Sequence, residues 1–128
     1  MDREEMNKFL ESIGGLENGY FTDRPPITDS SYFGVGNGWL PLLKELIEDL
    51  IELGWDKKTA QVKEKFGGLR FYINSGSEEI NDRILKAEKD SYHICEKCGQ
   101  EGQLRGDIGW YLTLCDEHYS EKKLKING

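Results

Sequence analysis

All three cysteines of the chain and one of its two histidines fall in a single pattern: Cys95-x2-Cys98, then sixteen residues, then Cys115-x2-His118. Thiolate and imidazole are the ligands that tetrahedral Zn²⁺ prefers. Pairs two residues apart can share one ion, and the spacer is that of zinc sites with one cysteine replaced by histidine. Four protein ligands fill the shell and leave no position for a water, so the ion expected at Cys95, Cys98, Cys115 and His118 is structural Zn²⁺ rather than catalytic. The competing readings are three reduced thiols packed together, or a disulfide with one thiol left over. A reducing compartment disfavours the disulfide.

A second group of residues could bind an anion. The segment Gln61-Val62-Lys63-Glu64-Lys65-Phe66-Gly67-Gly68-Leu69-Arg70-Phe71-Tyr72 reads as a β-hairpin turning at Gly67-Gly68. This register sets Lys65 opposite Arg70 and Lys63 opposite Tyr72. It places Val62, Phe66, Leu69, Phe71 and Ile73 on a core face, with Glu64 among them. Like charges facing each other repel, so either carboxylates from elsewhere in the chain neutralise them or a ligand does. The functional reading is a phosphate or carboxylate held by Lys63, Lys65 and Arg70, with Tyr72 free to stack on a base. Gly36, Asn37 and Gly38, just before a helix, could add backbone N–H donors, although a flexible loop capped by Asn37 explains them too. The glycine spacing is neither the P-loop nor the dinucleotide fingerprint.

Little else suggests catalysis. Glu64 on an apolar face would have its pKa raised, but an edge position or pairing with Arg83 accounts for it. His93, two residues before the first metal ligand, reads as a surface or supporting residue. With every cysteine used by the metal and no serine elbow in the chain, a non-enzymatic protein is expected.

The elements that must position these groups fit one small domain. The chain has 128 residues, 37% of them hydrophobic and 32% charged, with a formal net charge of −7. No apolar run approaches the ~20 residues of a membrane span, and Met1-Asp2-Arg3-Glu4-Glu5 lacks the basic start of a secretory signal. The expected location is therefore cytoplasmic. The net acidity excludes a general nucleic-acid coat. It is uneven, however: residues 59–76 hold one acid and three bases, an island of opposite sign.

Periodicity predicts helices over 2–13, over Trp39–Leu53 with Leu42, Leu43, Leu46, Ile47 and Leu50 inward, over 78–91 behind a Ser77 cap, and over the last twelve residues. Two i,i+4 pairs, Glu79 with Arg83 and Asp82 with Lys86, are expected on the third. Leu16 to Gly38 reads as irregular loop. The fold class expected is α+β, a small antiparallel sheet packed against helices. Residues 1–92 form the main unit, with a zinc finger over 93–128 packed on it.

Residues 93–122 resemble a treble-clef or zinc-ribbon-like finger, with a knuckle at Cys95–Gly99, a hairpin from Leu104 to Leu114, and Cys115 and His118 entering a helix. Together with Gly38-Trp39-Leu40-Pro41-Leu42-Leu43 and the hairpin segment, the chain resembles a family of small proteins encoded by bacteriophages and prophages. The resemblance brings no catalytic or ligand residues. It implies an accessory protein of the host bacterial cytoplasm, of the counter-defence kind that acts stoichiometrically by sequestering a signalling nucleotide or blocking a host protein. Three functions follow as expectations. The first is a protein that sequesters a small anionic, nucleotide-like ligand. The second is an inhibitor that binds a host protein through its acidic face of Glu45, Glu48, Asp49 and Glu52. The third is a nucleic-acid-binding regulator acting through the finger. A homo-oligomer is compatible with each.

Overall fold

A computed structural model describes residues 1–127 of the chain. Helix α1 (Arg3–Ser12) starts where the Asp2 carboxylate accepts the Glu5 amide at 2.8 Å, and it buries Met6 and Leu10 completely. Helix α2 (Leu40–Glu52) is entered through a 3-10 turn at Asn37–Trp39 and tolerates Pro41 in its first turn. Its stripe of Leu42, Leu43, Leu46, Ile47 and Leu50 is the centre of the core; Leu53, expected as the last residue of the helix, lies past its end and is exposed. Helix α3 (Glu78–Ser91) is capped by Ser77, whose hydroxyl accepts the Ile80 amide at 3.2 Å, and turns Ile80, Ile84 and Ala87 inward. Its charges pair differently from the expectation. Arg83 reaches across to Asp49 of α2 at 2.8 Å, and Lys86 pairs with Asp90 at 2.9 Å.

The main sheet has three strands in the order β1 (Glu17–Asn18), β2 (Lys58–Lys65) and β3 (Gly68–Ile73), with β1 parallel and β3 antiparallel to β2. The hairpin register differs from the one read off the sequence. The two turn residues are Phe66 and Gly67, with φ of +53° and +86°, the left-handed pair of a type I′ turn. Gly68 belongs to β3 for a steric reason: a Cβ there would sit 2.3 Å from Tyr92 Cζ. Lys63 therefore faces Arg70, Lys65 faces Gly68, and Glu64 faces Leu69. Phe66, expected in the core, is 64% exposed at the turn, whereas Val62, Leu69 and Phe71 are buried as expected. A register shift between Thr59 and Gln61 lets Thr59 and Val62 both point inward.

The outer edge of β3 is closed by side chains of α3. The Leu69 amide donates to Ser91 Oγ at 2.9 Å, and the Phe71 amide donates to a Glu88 carboxylate oxygen at 3.0 Å. The segment expected as loop also carries structure. Leu16 bridges Ile27, β1 joins the sheet, and Gly34 bridges Lys63 along the other edge of β2. Arg3 anchors it from α1: its guanidinium donates to the Ser30 carbonyl at 2.7 Å, to Asn37 Oδ1 at 2.8 Å, and to the Val35 carbonyl.

The C-terminal part forms a hairpin of β4 (Gln103–Arg105) and β5 (Leu112–Leu114), followed by α4 (Asp116–Asn127). It has a small core of its own, in which Cys95, Ile108, Leu114 and Cys115 are buried together. The fold is α+β, as the sequence pattern implied. Among the described residues, no helix is long and apolar enough to cross a membrane.

Candidate metal centre and basic hairpin face

The knuckle from Cys95 to Gly102 is wound by its own backbone. The Cys95 amide donates to the Gln100 carbonyl at 2.7 Å, and the Gly99 amide donates to the Cys95 carbonyl at 2.8 Å. Cys115 is the single residue between β5 and α4, and His118 lies in the first turn of α4, so a strand end and a helix start bring the second ligand pair to the first. The four ligand atoms lie within 4.8 Å of one another, a cluster that could hold a metal ion. Cys98 Sγ is 3.8 Å from Cys115 Sγ, and His118 Nδ1 is 3.2 Å from Cys115 Sγ and 3.5 Å from Cys95 Sγ.

The thiols differ in acidity. Burial pushes Cys95 up, but backbone amides of Cys115, Cys98 and Lys97 and the neighbouring His118 outweigh it and bring the thiol down to about 7. Desolvation and the two nearby sulfurs push Cys98 up to about 11, against the pull of the Gln100 amide. Three thiolates this close repel one another unless a cation sits among them.

The glycine loop is the seat of this knuckle. Gly36 donates its amide to the Glu96 carboxylate at 2.9 Å, Gly38 donates to the Glu96 carbonyl at 2.7 Å, and Trp39 Nε1 donates to the Ile94 carbonyl at 2.8 Å. The backbones touch so closely that a Cβ on Gly38 would lie 2.1 Å from the Cys95 carbonyl oxygen. Both amides expected to receive an external anion are thus already taken by Glu96, that of Gly36 by its carboxylate and that of Gly38 by its backbone carbonyl. Burial pushes that carboxyl up, with the Gly36 amide pulling it back and Glu64 pushing it further up. Asn37, expected beside them, accepts from Arg3. The structure does not join Gly36, Asn37 and Gly38 to the cationic residues as one anion site.

Lys63, Lys65, Arg70 and Tyr72 do share the hairpin face opposite the core. Lys63 and Arg70 are direct cross-strand partners, and Lys65 and Tyr72 each lie two pairs along the ladder from them, in opposite directions and hence on the same face. Among the described residues, none of Lys63, Lys65 and Arg70 comes within 4.0 Å of a carboxylate. The Arg70 guanidinium is steadied at 3.0 Å from the Leu69 carbonyl and 3.4 Å from the Tyr92 hydroxyl, a contact that raises its pKa, with Glu88 adding to the rise. Glu88 itself is engaged with the Phe71 amide, and Glu64 accepts the Gly67 amide at 2.7 Å instead of pairing with Arg83. His93 is exposed.

The acidic face of α2 is partly neutralised. Lys44 meets Glu48 at 3.0 Å and Arg83 holds Asp49, which leaves Glu45 and Glu52. Tyr92 is the residue that the sequence reading missed on the basic face. Its only sequence signal was a position just past the end of α3, which says nothing of the strand it covers. Compared with known proteins, the chain matches no family model, no curated protein and no solved structure.

Proposed function

We propose that this protein is a non-catalytic binding protein that holds a small anionic, nucleotide-like ligand on the open face of the β2–β3 hairpin, stabilised by a structural zinc ion at Cys95, Cys98, Cys115 and His118. The observation that carries the ligand reading is the set of three cations on one sheet face without an ion-pair partner among the described residues, in a chain of net charge −7. With 24 carboxylates in the chain, internal neutralisation was available, yet salt bridges form elsewhere. Facing Lys63 and Arg70 across two strands costs a few tenths of a kcal/mol or more, which a bound phosphate would reverse. Lys63, Lys65 and Arg70 would take the phosphate, and Tyr72 the base.

The zinc reading rests on the donor set and its spacing. A tetrahedral ion with Zn–S bonds of about 2.3 Å needs S–S edges of about 3.8 Å and S–N edges of about 3.5 Å. The sulfurs of Cys98 and Cys115 stand 3.8 Å apart, and the contacts of His118 Nδ1 are 3.2 and 3.5 Å. Such an ion supplies cross-linking of the knuckle to α4 and leaves no open position for a substrate. As to setting, the resemblance to phage- and prophage-encoded proteins supports a counter-defence role in a bacterial cytoplasm, exercised by stoichiometric sequestration.

The test is a double charge reversal, Lys63→Glu with Arg70→Glu, read by equilibrium titration with nucleoside monophosphates and by far-ultraviolet circular dichroism. Both side chains project from the solvent face, so the fold should survive while binding falls by two orders of magnitude or more. Unchanged binding would remove the hairpin face as the site.

A further inference from the structure

The basic face does not stop at the hairpin turn, and what lies beyond it carries aromatic rings in the open. Phe66 is 64% exposed, and Trp110 and Tyr111 on the loop joining β4 to β5 are each 52% exposed. The turn and this loop abut. A Cβ on Gly67 would lie 3.4 Å from the Tyr111 carbonyl carbon at the end of the loop and 2.4 Å from Leu104 Cδ1 of β4, and Thr113 Oγ1 of β5 donates to the Gly67 carbonyl at 2.7 Å. Two lysines accompany the rings. Lys65 Nζ is 5.5 Å from the Phe66 ring centroid, and Lys122 Nζ is 5.5 Å from that of Trp110. Like Lys63, neither lysine forms an ion pair among the described residues.

We infer that the hairpin face and the finger loop together form one binding surface for single-stranded nucleic acid, a proposal that rests on the ligand reading above and extends it from one nucleotide to several. Tyr72, Phe66, Tyr111 and Trp110 offer successive rings for bases, and Lys63, Lys65, Arg70 and Lys122 offer cations for the phosphates between them. Alternating rings and cations are how sequence-tolerant single-strand surfaces are built, because every base has a π-face and every link a charge. A mononucleotide would occupy Arg70, Lys63 and Tyr72 and leave the finger's rings idle. An acidic peptide would match the lysines but has no use for flat rings standing in solvent. The finger thereby acquires a role beyond stability: the Thr113–Gly67 hydrogen bond ties β5, directly after the exposed loop, to the turn, so the finger positions half of the surface.

Intrinsic fluorescence tests this directly, because Trp39 and Trp55 are buried and Trp110 is the exposed tryptophan of the three. The full chain, loaded with zinc, is titrated with dT8 and with thymidine monophosphate. The expected result is quenching by dT8 at a concentration at least tenfold below that needed for the monophosphate, measured by competition. The dT8 affinity should fall with salt at a log–log slope of roughly −3, from about −0.7 for each of four phosphates. Trp110→Ala with Tyr111→Ala, which lacks the reporting tryptophan and is read by isothermal titration calorimetry alongside the parent protein, should bring dT8 down to the monophosphate's affinity and leave the monophosphate unchanged. If dT8 binds no better than the monophosphate, the extended surface is refuted and the single-nucleotide site stands. If Lys63→Glu with Arg70→Glu leaves dT8 binding intact, the ligand reading itself fails and takes this inference with it. If polyglutamate displaces dT8 at equal charge concentration, the surface reads charge alone and the inference is overturned in favour of an acidic protein partner.

Discussion

Replacing Gly38 with alanine tests how the metal knuckle is held. The added Cβ would lie 2.1 Å from the Cys95 carbonyl oxygen, 2.5 Å from the Gly99 amide nitrogen and 2.7 Å from the Glu96 carbonyl carbon. All three are backbone atoms, so no side-chain rotation relieves the clash. The knuckle and the entrance to α2 must part by more than an ångström. Overpacking of this kind costs about 1–3 kcal/mol. Separation also loses the hydrogen bond from the Gly38 amide to the Glu96 carbonyl and stretches that from Trp39 Nε1 to the Ile94 carbonyl, at about 0.5–1.5 kcal/mol each. The sum is about 2–6 kcal/mol, a large part of the ~5–15 kcal/mol that holds a domain folded. At roughly 3–5 °C per kcal/mol for a chain of this size, the melting temperature should drop by about 6–30 °C. Transfer of zinc to a chromogenic chelator should accelerate in parallel, because the displaced backbone carries Cys95 and Cys98. Gly54→Ala is the control: φ is +94° with nothing within 4 Å of a Cβ, so it should cost about 1–2 kcal/mol of backbone strain and leave metal transfer unchanged. If Gly38→Ala melts and releases metal like the parent protein, the glycine loop is not the seat of the knuckle.

Three further outcomes follow from the same contacts. Freshly purified protein should carry one zinc per chain by elemental analysis. Cys115→Ser should lose it and deprotect the Gly99 and Gly102 amides in hydrogen exchange while the α2 amides stay protected; a metal-free parent chain would refute the centre. Ser91→Ala should cost about 1–3 kcal/mol in urea unfolding, because it leaves the buried Leu69 amide without its acceptor, and an unchanged midpoint would contradict that edge closure. Asp107 is held below the usual carboxylate range by hydrogen bonds from Tyr119 and Lys123. Its folded pKa being depressed, the link between the finger loop and α4 is present at and above the ordinary carboxylate range and is lost as pH falls through the lowered value. A carboxyl carbon titration by NMR giving an ordinary aspartate midpoint would refute it.

What could be read from the sequence was what depends on short spacings. Cys-x2-Cys and Cys-x2-His act locally, and the stripe of α2 repeats every three to four residues, so both were legible without knowledge of the fold. The turn was not. Gly67-Gly68 is the better pair for left-handed backbone, yet Gly68 is needed in the strand beneath the Tyr92 ring, and Phe66 takes the positive φ in its place. That demand comes from a residue 24 positions away. The glycine loop was misread for a related reason: an amide awaiting an anion and an amide awaiting Glu96, 60 residues on, look the same in one sequence. The basic island survived this correction because alternation keeps Lys63, Lys65, Arg70 and Tyr72 on one face in either register.

The claim on which the account turns is that the hairpin face retains a small anionic ligand. It is tested most directly by mass spectrometry of the small molecules released when the zinc-loaded protein, incubated in a nucleotide-rich bacterial extract and repurified, is denatured. The account predicts a phosphate-bearing, base-containing compound approaching one equivalent per chain, absent when the Lys63→Glu, Arg70→Glu protein is treated alike. Release of no such compound from the parent protein, or equal release from both, would contradict it.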